Sequence, residues 1–227
     1  MFRKHKKKKK IKQVINDKYS NWLSKSKSID SLFKQDQELK EIYMDLLEND
    51  RDEKLRKGLA SVLGYLDYSD IVPELVQLLF KEKDWMVRFA IARSSAKISD
   101  DEAVKMVKEE FKKLTKEAES SKDKIQLKIT FAEALGVMQT NKSRQELHSL
   151  FLEQKNEQLS SDNLLLLQII YGLGEVGDES TIELLQQFTN QYSLRDEKIK
   201  DSINHALRKI VQRLGFSFFK SYQEQQT

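Results

Sequence analysis

The stretch DEKLRKGLASVLGYL, residues 52–66, carries the pattern that decides the fold. Its apolar residues recur at intervals of 4, 3, 1 and 3, the stripe of an amphipathic helix that buries one face. Apolar residues at offsets 0, 4, 8 and 11 define a template that recurs four more times, with Ser95 as its one polar member. The five copies are Leu55, Leu59, Leu63 and Leu66; Val87, Ile91, Ser95 and Ile98; Leu127, Phe131, Leu135 and Met138; Leu165, Ile169, Leu173 and Val176; and Ile199, Ile203, Leu207 and Ile210.

The spacing of the copies indicates a helical repeat protein. Successive copies begin 32, 40, 38 and 34 residues apart, a period typical of helical solenoids. Three residues before each copy stands a residue that could cap its helix, an Asp in every copy but the third. These residues are Asp52, Asp84, Lys124 (beside Asp123), Asp162 and Asp196. A second amphipathic helix is predicted after each of the first four copies, and these helices begin at Asp70, Asp100, Asn141 and Asp178.

Composition supports an all-α protein and excludes several classes of site. The 227 residues are 39% hydrophobic, enough for a core, and include only 7 Gly and 1 Pro, few turn formers for a sheet protein. The absence of Cys from the sequence excludes disulfides, thiolate nucleophiles and cysteine metal sites. Because no run of about 20 apolar residues and no signal-peptide core is present, we expect a cytoplasmic protein.

At this point the chain resembles HEAT repeats, in particular the short variety first noticed in phycobilisome lyases. The matching residues are Asp84, Val87, Arg88, Ala90 and Ala92, with the helix opening DIVPELVQLL at Asp70. The resemblance covers about residues 50–212. It implies an all-α, right-handed α-solenoid (superhelix) of about five to six HEAT-like helix pairs. Leu166, where other copies have a basic residue, and Lys124, in place of a capping Asp, depart from the pattern.

The charge distribution suggests how the chain is divided. Residues 1–40 hold 13 Lys and Arg against 4 acids, whereas the remainder is mildly acidic. We therefore expect residues 1–10 to form a disordered basic arm and residues 11–227 to form a single solenoid. Within the solenoid the expected parts are an N-terminal capping repeat at 11–48, five repeats at 50–212 and a C-terminal cap at 213–227.

The segment GLGEVG, residues 172–177, matches the G-x-G-x-x-G fingerprint of a dinucleotide-binding turn. In the register of the repeat, however, Gly174 aligns with Gly64, Ala96 and Gly136. Ala can replace Gly in a packed helix but not in a pyrophosphate turn. The glycines are therefore interpreted as small residues at helix contacts, and no cofactor is expected.

Other candidate sites have simpler interpretations. HEAT-repeat hydroxylases bind a di-iron centre through repeated His-Glu pairs, which His5, His148 and His205 do not form. We expect no metal site and no catalytic residue. A ladder of basic residues follows the first apolar position of four copies, and we expect these side chains to pair with nearby acids rather than bind phosphates. They are Arg56, Arg88, Lys128 and Lys200.

The leading hypothesis is a non-catalytic scaffold or adaptor that binds a protein or peptide on the concave surface of the second helices. Helix phase selects the candidate contact residues Gln77, Lys81, Lys105, Lys108, Lys112, Arg144, His148, Gln186 and Asn190.

Two alternatives stay open. One is a nucleic-acid-binding HEAT-repeat protein, similar to the HEAT-like DNA glycosylases, whose basic arm binds nucleic acid or an anionic membrane weakly. The arm residues are Arg3, Lys4, Lys6, Lys7, Lys8, Lys9, Lys10 and Lys12, and a merely solubilising role is weighted equally. The other is an enzyme of the lyase or base-excision type, which requires a deep pocket with an unpaired carboxylate near Trp85. No small-molecule substrate is evident in the sequence.

Overall fold

A computed structural model describes residues 2–154, 164–192 and 196–215. Over these residues the chain forms eleven α-helices and one short 3-10 helix, Ser69–Ile71, and no strand. The α-helices are α1 Phe2–Asn16, α2 Trp22–Gln35, α3 Glu38–Asn49, α4 Glu53–Leu63, α5 Val72–Lys81, α6 Trp85–Glu117, α7 Ser121–Met138, α8 Asn141–Gln154, α9 Leu164–Val176, α10 Glu179–Tyr192 and α11 Glu197–Leu214. The predicted all-α class is confirmed.

Each copy of the template lies on a helix, and the predicted second helices follow. The five copies occupy α4, the first part of α6, α7, α9 and α11, while α5, the second part of α6, α8 and α10 are second helices. Helix α6 is two helices that meet at Asp100, where φ is 43° and ψ is −124°. The break coincides with the predicted start of the second helix of that pair.

Capping side chains fix where the first helices begin. The Asp52 carboxylate accepts hydrogen bonds from the backbone N–H groups of Lys54 and Leu55, and Asp196 caps α11 in the same way. Asp84 accepts from the N–H of Val87 at 3.0 Å. In the third copy the cap is Ser120, so α7 starts earlier than predicted and Lys124 lies inside its first turn. The predicted cap Asp162 lies outside the described residues.

Two compact units divide the chain, Met1–Glu110 and Phe111–Thr227, where the repeat pattern predicted one solenoid. The pattern specifies which face of each helix is buried, but it does not specify how tightly successive pairs associate. We refer to the two parts as unit 1 and unit 2.

The N-terminal region of unit 1 differs from the sequence expectation. Residues 2–10 belong to helix α1 and are not a disordered arm. The helix is held because Ile11 and Ile15 are buried and because lysines on its inner side pair with acids. The predicted capping repeat at 11–48 contains three helices, since Asn21 caps the start of α2 and Asp36 ends it.

The core of unit 1 joins α3, α4 and α6. The buried Tyr43 hydroxyl donates a hydrogen bond to the carbonyl of Leu59 at 2.8 Å, and the Tyr43 ring meets Phe33 edge to face. The Ser94 hydroxyl donates to the carbonyl of Ala60, also at 2.8 Å. A polar residue is therefore accommodated between α4 and α6 because its hydroxyl is satisfied.

Glycines bring the first helices of unit 2 into close contact. A Cβ on Gly136 would lie 2.8 Å from the Cα of Gly172, and a Cβ on Gly174 would lie 3.0 Å from the Cα of Ala206. GLGEVG therefore lies at the end of α9, and its interpretation as helix-packing glycines is confirmed. The predicted C-terminal cap is described only to residue 215; residues 216–227 lie outside the described ranges.

Candidate protein-binding surfaces

Unit 1 has a groove between the second helices α3 and α5, which we call the α3–α5 groove. Its volume is about 340 Å³. The lining residues are Lys40, Glu41, Met44, Asp45, Glu48, Asn49 and Glu74. Both helices bury their apolar stripes, so the groove is formed by the polar side chains that remain outside the core.

The α3–α5 groove is acidic. Four of its seven lining residues are carboxylates, against one lysine. Lys8 of α1 reaches Asp45 at 2.7 Å and holds the pKa of that carboxyl below its usual value. Lys81 lies 3.6 Å from Glu48. Glu41 and Glu74 form no ion pair with any residue that the structure describes, so the groove keeps negative charge for a partner.

The predicted contact residues of unit 1 are accessible. Gln77 and Lys81 are exposed one turn apart on α5, and the ion pair of Lys81 with Glu48 places it beside the α3–α5 groove. Lys105 is exposed on the second part of α6 and pairs with Glu102 at 2.7 Å, a hydrogen bond that raises the pKa of Lys105. Lys108 is half-buried on the same helix.

The predicted contact residues of unit 2 divide into exposed and engaged side chains. Lys112 and Asn190 are exposed, and Gln186 is half-buried on α10. Arg144 pairs with Asp178 at 2.9 Å. The Nε2 atom of His148 lies 2.7 Å from the Thr181 hydroxyl oxygen, and burial lowers the pKa of His148. The last two contacts fasten α8 to the start of α10.

The basic residues of α1 lie on two sides of a folded helix. On the inner side Lys7 binds Asp36 at 2.5 Å and also Glu38, Lys8 binds Asp45, and Lys12 binds Asp50 at 2.5 Å. The exposed basic residues are Arg3, Lys4, Lys6, Lys9 and Lys10. Part of the positive charge that the sequence assigned to a free arm is therefore neutralised within the chain.

The basic ladder is occupied by contacts within the chain at its first two positions. Arg56 donates two hydrogen bonds to the Glu82 carboxylate, at 2.9 and 3.0 Å, and Arg88 donates to the carbonyl of Lys83 at 2.9 Å. The predicted structural role of the ladder is confirmed there. Its acidic partner is Glu82 in the loop before α6, which the sequence did not single out.

An exposed apolar cluster on the first part of α6 was missed. The solvent-exposed fractions are 61% for Trp85, 39% for Met86 and 38% for Phe89. Trp85 stands at the surface in the first turn of its helix, which differs from the deep pocket that the enzyme alternative requires. A comparison of outward positions between copies could have revealed the cluster, since α4 has Glu53 and Lys54 at the positions of Trp85 and Met86.

Comparison with known proteins supports the repeat interpretation. Residues 41–113 match the family model of HEAT repeats. Residues 41–113 are HEAT repeats. The HEAT segment begins in α3, contains α4 and α5, ends in the second part of α6 and includes every residue of the α3–α5 groove except Lys40. No significant match was found among curated proteins or among solved structures.

Two structural searches limit the chemistry of the HEAT repeats and their neighbours. Among residues 2–154, 164–192 and 196–215, no group of three or more His, Asp or Glu side chains is placed to hold a metal ion. Over the same ranges no helix has the length and apolar character needed to cross a bilayer. The accessible features are therefore surfaces, and HEAT repeats typically mediate protein–protein interaction.

Proposed function

We propose that this chain is a non-catalytic adaptor that binds a protein partner on the surface of its second helices. The observation that carries the proposal is the α3–α5 groove, which lies in the segment that matches HEAT repeats. Repeat proteins of this kind use rows of equivalent helices as extended binding surfaces. Binding by such a surface needs shape and charge complementarity rather than a reactive group.

The charge of the groove indicates the chemistry of the partner. Carboxylates from two helices converge on one space, and Glu41 and Glu74 enter it without an ion pair among the described residues. Met44, 7% exposed, supplies apolar surface at the base. A segment with Lys or Arg side chains and an apolar residue between them fits this arrangement, because it replaces the water around the carboxylates with charge-assisted hydrogen bonds.

The test is quantitative capture of partners by cross-linking in native cell extract. The variant Glu41→Gln/Glu48→Gln/Glu74→Gln removes three carboxylates from the groove, and we expect it to reduce capture at least tenfold. The matched control Glu153→Gln/Glu179→Gln/Asp201→Asn removes three exposed carboxylates of unit 2, so that net charge changes equally. Substitutions at exposed positions usually change stability by less than about 0.5 kcal/mol, so both variants should melt near the wild type. Equal capture by the groove variant and the wild type would refute the proposal.

A scan of the nine helix-phase residues separates contact residues from structural ones. Alanine at Gln77 or Lys81 should weaken capture without lowering the melting temperature. Alanine at Arg144 or His148 should lower the melting temperature, because their contacts join α8 to α10. If Gln77 and Lys81 variants capture as well as the wild type, the partner surface does not extend along α5.

A second candidate function is weak binding of nucleic acid through the outer side of α1, where exposed basic residues remain. Binding to generic duplex DNA should fall steeply with salt, because phosphate contacts release counterions. Lys9→Glu/Lys10→Glu should abolish this binding, and the variant leaves Lys7, Lys8 and Lys12 in their ion pairs. Duplex binding that survives this variant would exclude the outer side of α1 as the site.

A further inference from the structure

The outward side of the first part of α6 combines apolar and basic side chains. Trp85, Phe89, Arg93 and Lys97 follow one another at intervals of four residues and, together with Met86, lie on one side of the helix. All five side chains are exposed. We call this surface the α6 ridge. Its residues are Trp85, Met86, Phe89, Arg93 and Lys97.

The apolar part of the α6 ridge is not required by the repeat. The core contacts of this helix come from the opposite side, where Val87 and Ile91 are fully buried. In the first and fifth copies the positions equivalent to Trp85, Met86 and Phe89 are charged: Glu53, Lys54 and Lys57, and Glu197, Lys198 and Asp201. A repeat helix therefore packs with charged residues there, and an exposed aromatic pair requires another explanation.

The basic part of the α6 ridge is available to a ligand. Arg93 makes no ion pair or hydrogen bond with any residue in the described ranges. The Lys97 ammonium lies 4.0 Å from the centroid of the Tyr65 ring, and Tyr65 is 44% exposed. Tyr65 in turn lines a groove of about 420 Å³ with the exposed Leu23 of α2. Exposed apolar and basic groups thus continue from α6 to α4 and α2.

We propose that the α6 ridge binds an acidic amphipathic helix of a protein partner, with apolar side chains on Trp85 and Phe89 and carboxylates on Arg93 and Lys97. Trp and Arg are enriched among the residues that dominate interface energies. Eight to twelve residues of helix separate Trp85 from Arg93 and Lys97, roughly 12–18 Å at 1.5 Å per residue. The ligand therefore carries its carboxylates about two to three turns from its apolar anchor.

The α6 ridge extends the proposed adaptor function to a second surface of opposite charge. The α3–α5 groove favours a cationic segment, whereas the α6 ridge favours an acidic one. Substitutions in one surface leave the side chains of the other unchanged. Failure of either proposal is therefore distinguishable from failure of the other.

The test uses fluorescence of Trp85 in the full chain. Because the chain has two tryptophans, Trp22→Phe leaves Trp85 as the only one. The probe is a 14-residue helical peptide with Leu and Phe along one face and Glu on both flanks, and its twin carries Lys in place of each Glu. We expect the acidic peptide to shift Trp85 emission to shorter wavelength and to bind at least tenfold more tightly than the twin. Arg93→Glu/Lys97→Glu should reverse this preference, a result that general unfolding cannot produce.

Three outcomes would overturn the proposal. One is that neither peptide changes Trp85 emission, and another is that both bind equally. The third is that sedimentation velocity shows concentration-dependent dimerisation that Phe89→Ser abolishes, which would assign the α6 ridge to a second copy of this chain. The groove variant Glu41→Gln/Glu48→Gln/Glu74→Gln serves as control, and it should bind the acidic peptide as the wild type does.

Discussion

Gly136 of α7 faces Gly172 of α9 so closely that no methyl group fits between the two helices. A Cβ on residue 136 would lie 2.8 Å from the Cα of Gly172, whereas ordinary contacts begin at 3.4 Å. The neighbouring atom belongs to the backbone, so it cannot rotate away. In Gly136→Ala the two helices must therefore separate by about 0.6 Å, the difference between these two distances.

Two opposing effects determine the size of the change in stability. Replacing Gly by Ala inside a helix favours folding by about 0.5–1 kcal/mol, because the unfolded chain loses conformational freedom. Overpacking a close contact costs about 1–3 kcal/mol. We therefore expect Gly136→Ala to lose about 1–2 kcal/mol of unfolding free energy, which lowers the melting temperature by roughly 2–8 °C.

The control is Gly58→Ala in α4. Its Cβ would also lie 2.8 Å from a neighbour, but that neighbour is the terminal Cγ2 methyl of Ile15. A side-chain end can adjust by a small rotation, so we expect Gly58→Ala to stay within about 1 kcal/mol of the wild type. Urea and thermal unfolding, followed by circular dichroism, measure both variants. The reasoning fails if Gly136→Ala is as stable as the wild type, or if it is no less stable than Gly58→Ala.

Three other expectations concern caps and pH. Asp196→Ala should cost about 0.5–2 kcal/mol in urea unfolding, because Asp196 accepts two backbone N–H groups at the start of α11, and Asp196→Asn should restore most of the loss. Gln139→Gly should raise stability by about 0.5–1 kcal/mol, because residue 139 is left-handed with φ 56° and Gly adopts that conformation without strain; an unchanged melting temperature would contradict this. The pKa of His148 is lowered by burial, so the unfolded chain takes up the proton first as pH falls through 6.5. Stability should therefore decrease as pH falls from 7 toward the lower pKa of the folded protein, and a pH series of unfolding curves should show no such decrease for His148→Gln.

The buried side of each repeat could be predicted from the sequence because the requirement is local. Apolar residues at offsets 0, 4 and 8 from Leu55 must share one face of a helix, and the capping Asp52 must precede that helix. The same logic assigned Gly174 to a helix contact once it was aligned with Gly136. Registers of this kind depend only on helix geometry, so the structure reproduces them.

The structure of the N-terminal residues could not be predicted in this way because it depends on distant partners. A run of lysines is typical of a solvated, disordered segment when it is considered alone. In the fold, α1 lies against α3, so that Lys8 meets Asp45 and Lys12 meets Asp50. Pairs between residues almost forty positions apart have no local signature. The α3–α5 groove was missed for the same reason, since its carboxylates come from two helices.

Exposed residues require a comparison that the packing pattern does not provide. The template defines what each helix buries, and positions outside it are free to vary without loss of the fold. Where such a position is charged in one copy and aromatic in another, as at Glu53 and Trp85, packing does not explain the difference. The free energy of hydration favours the charged residue at an exposed site. An aromatic residue retained there, at 61% exposure, is consistent with a surface that a partner covers, and the peptide titration against Trp85 tests this directly.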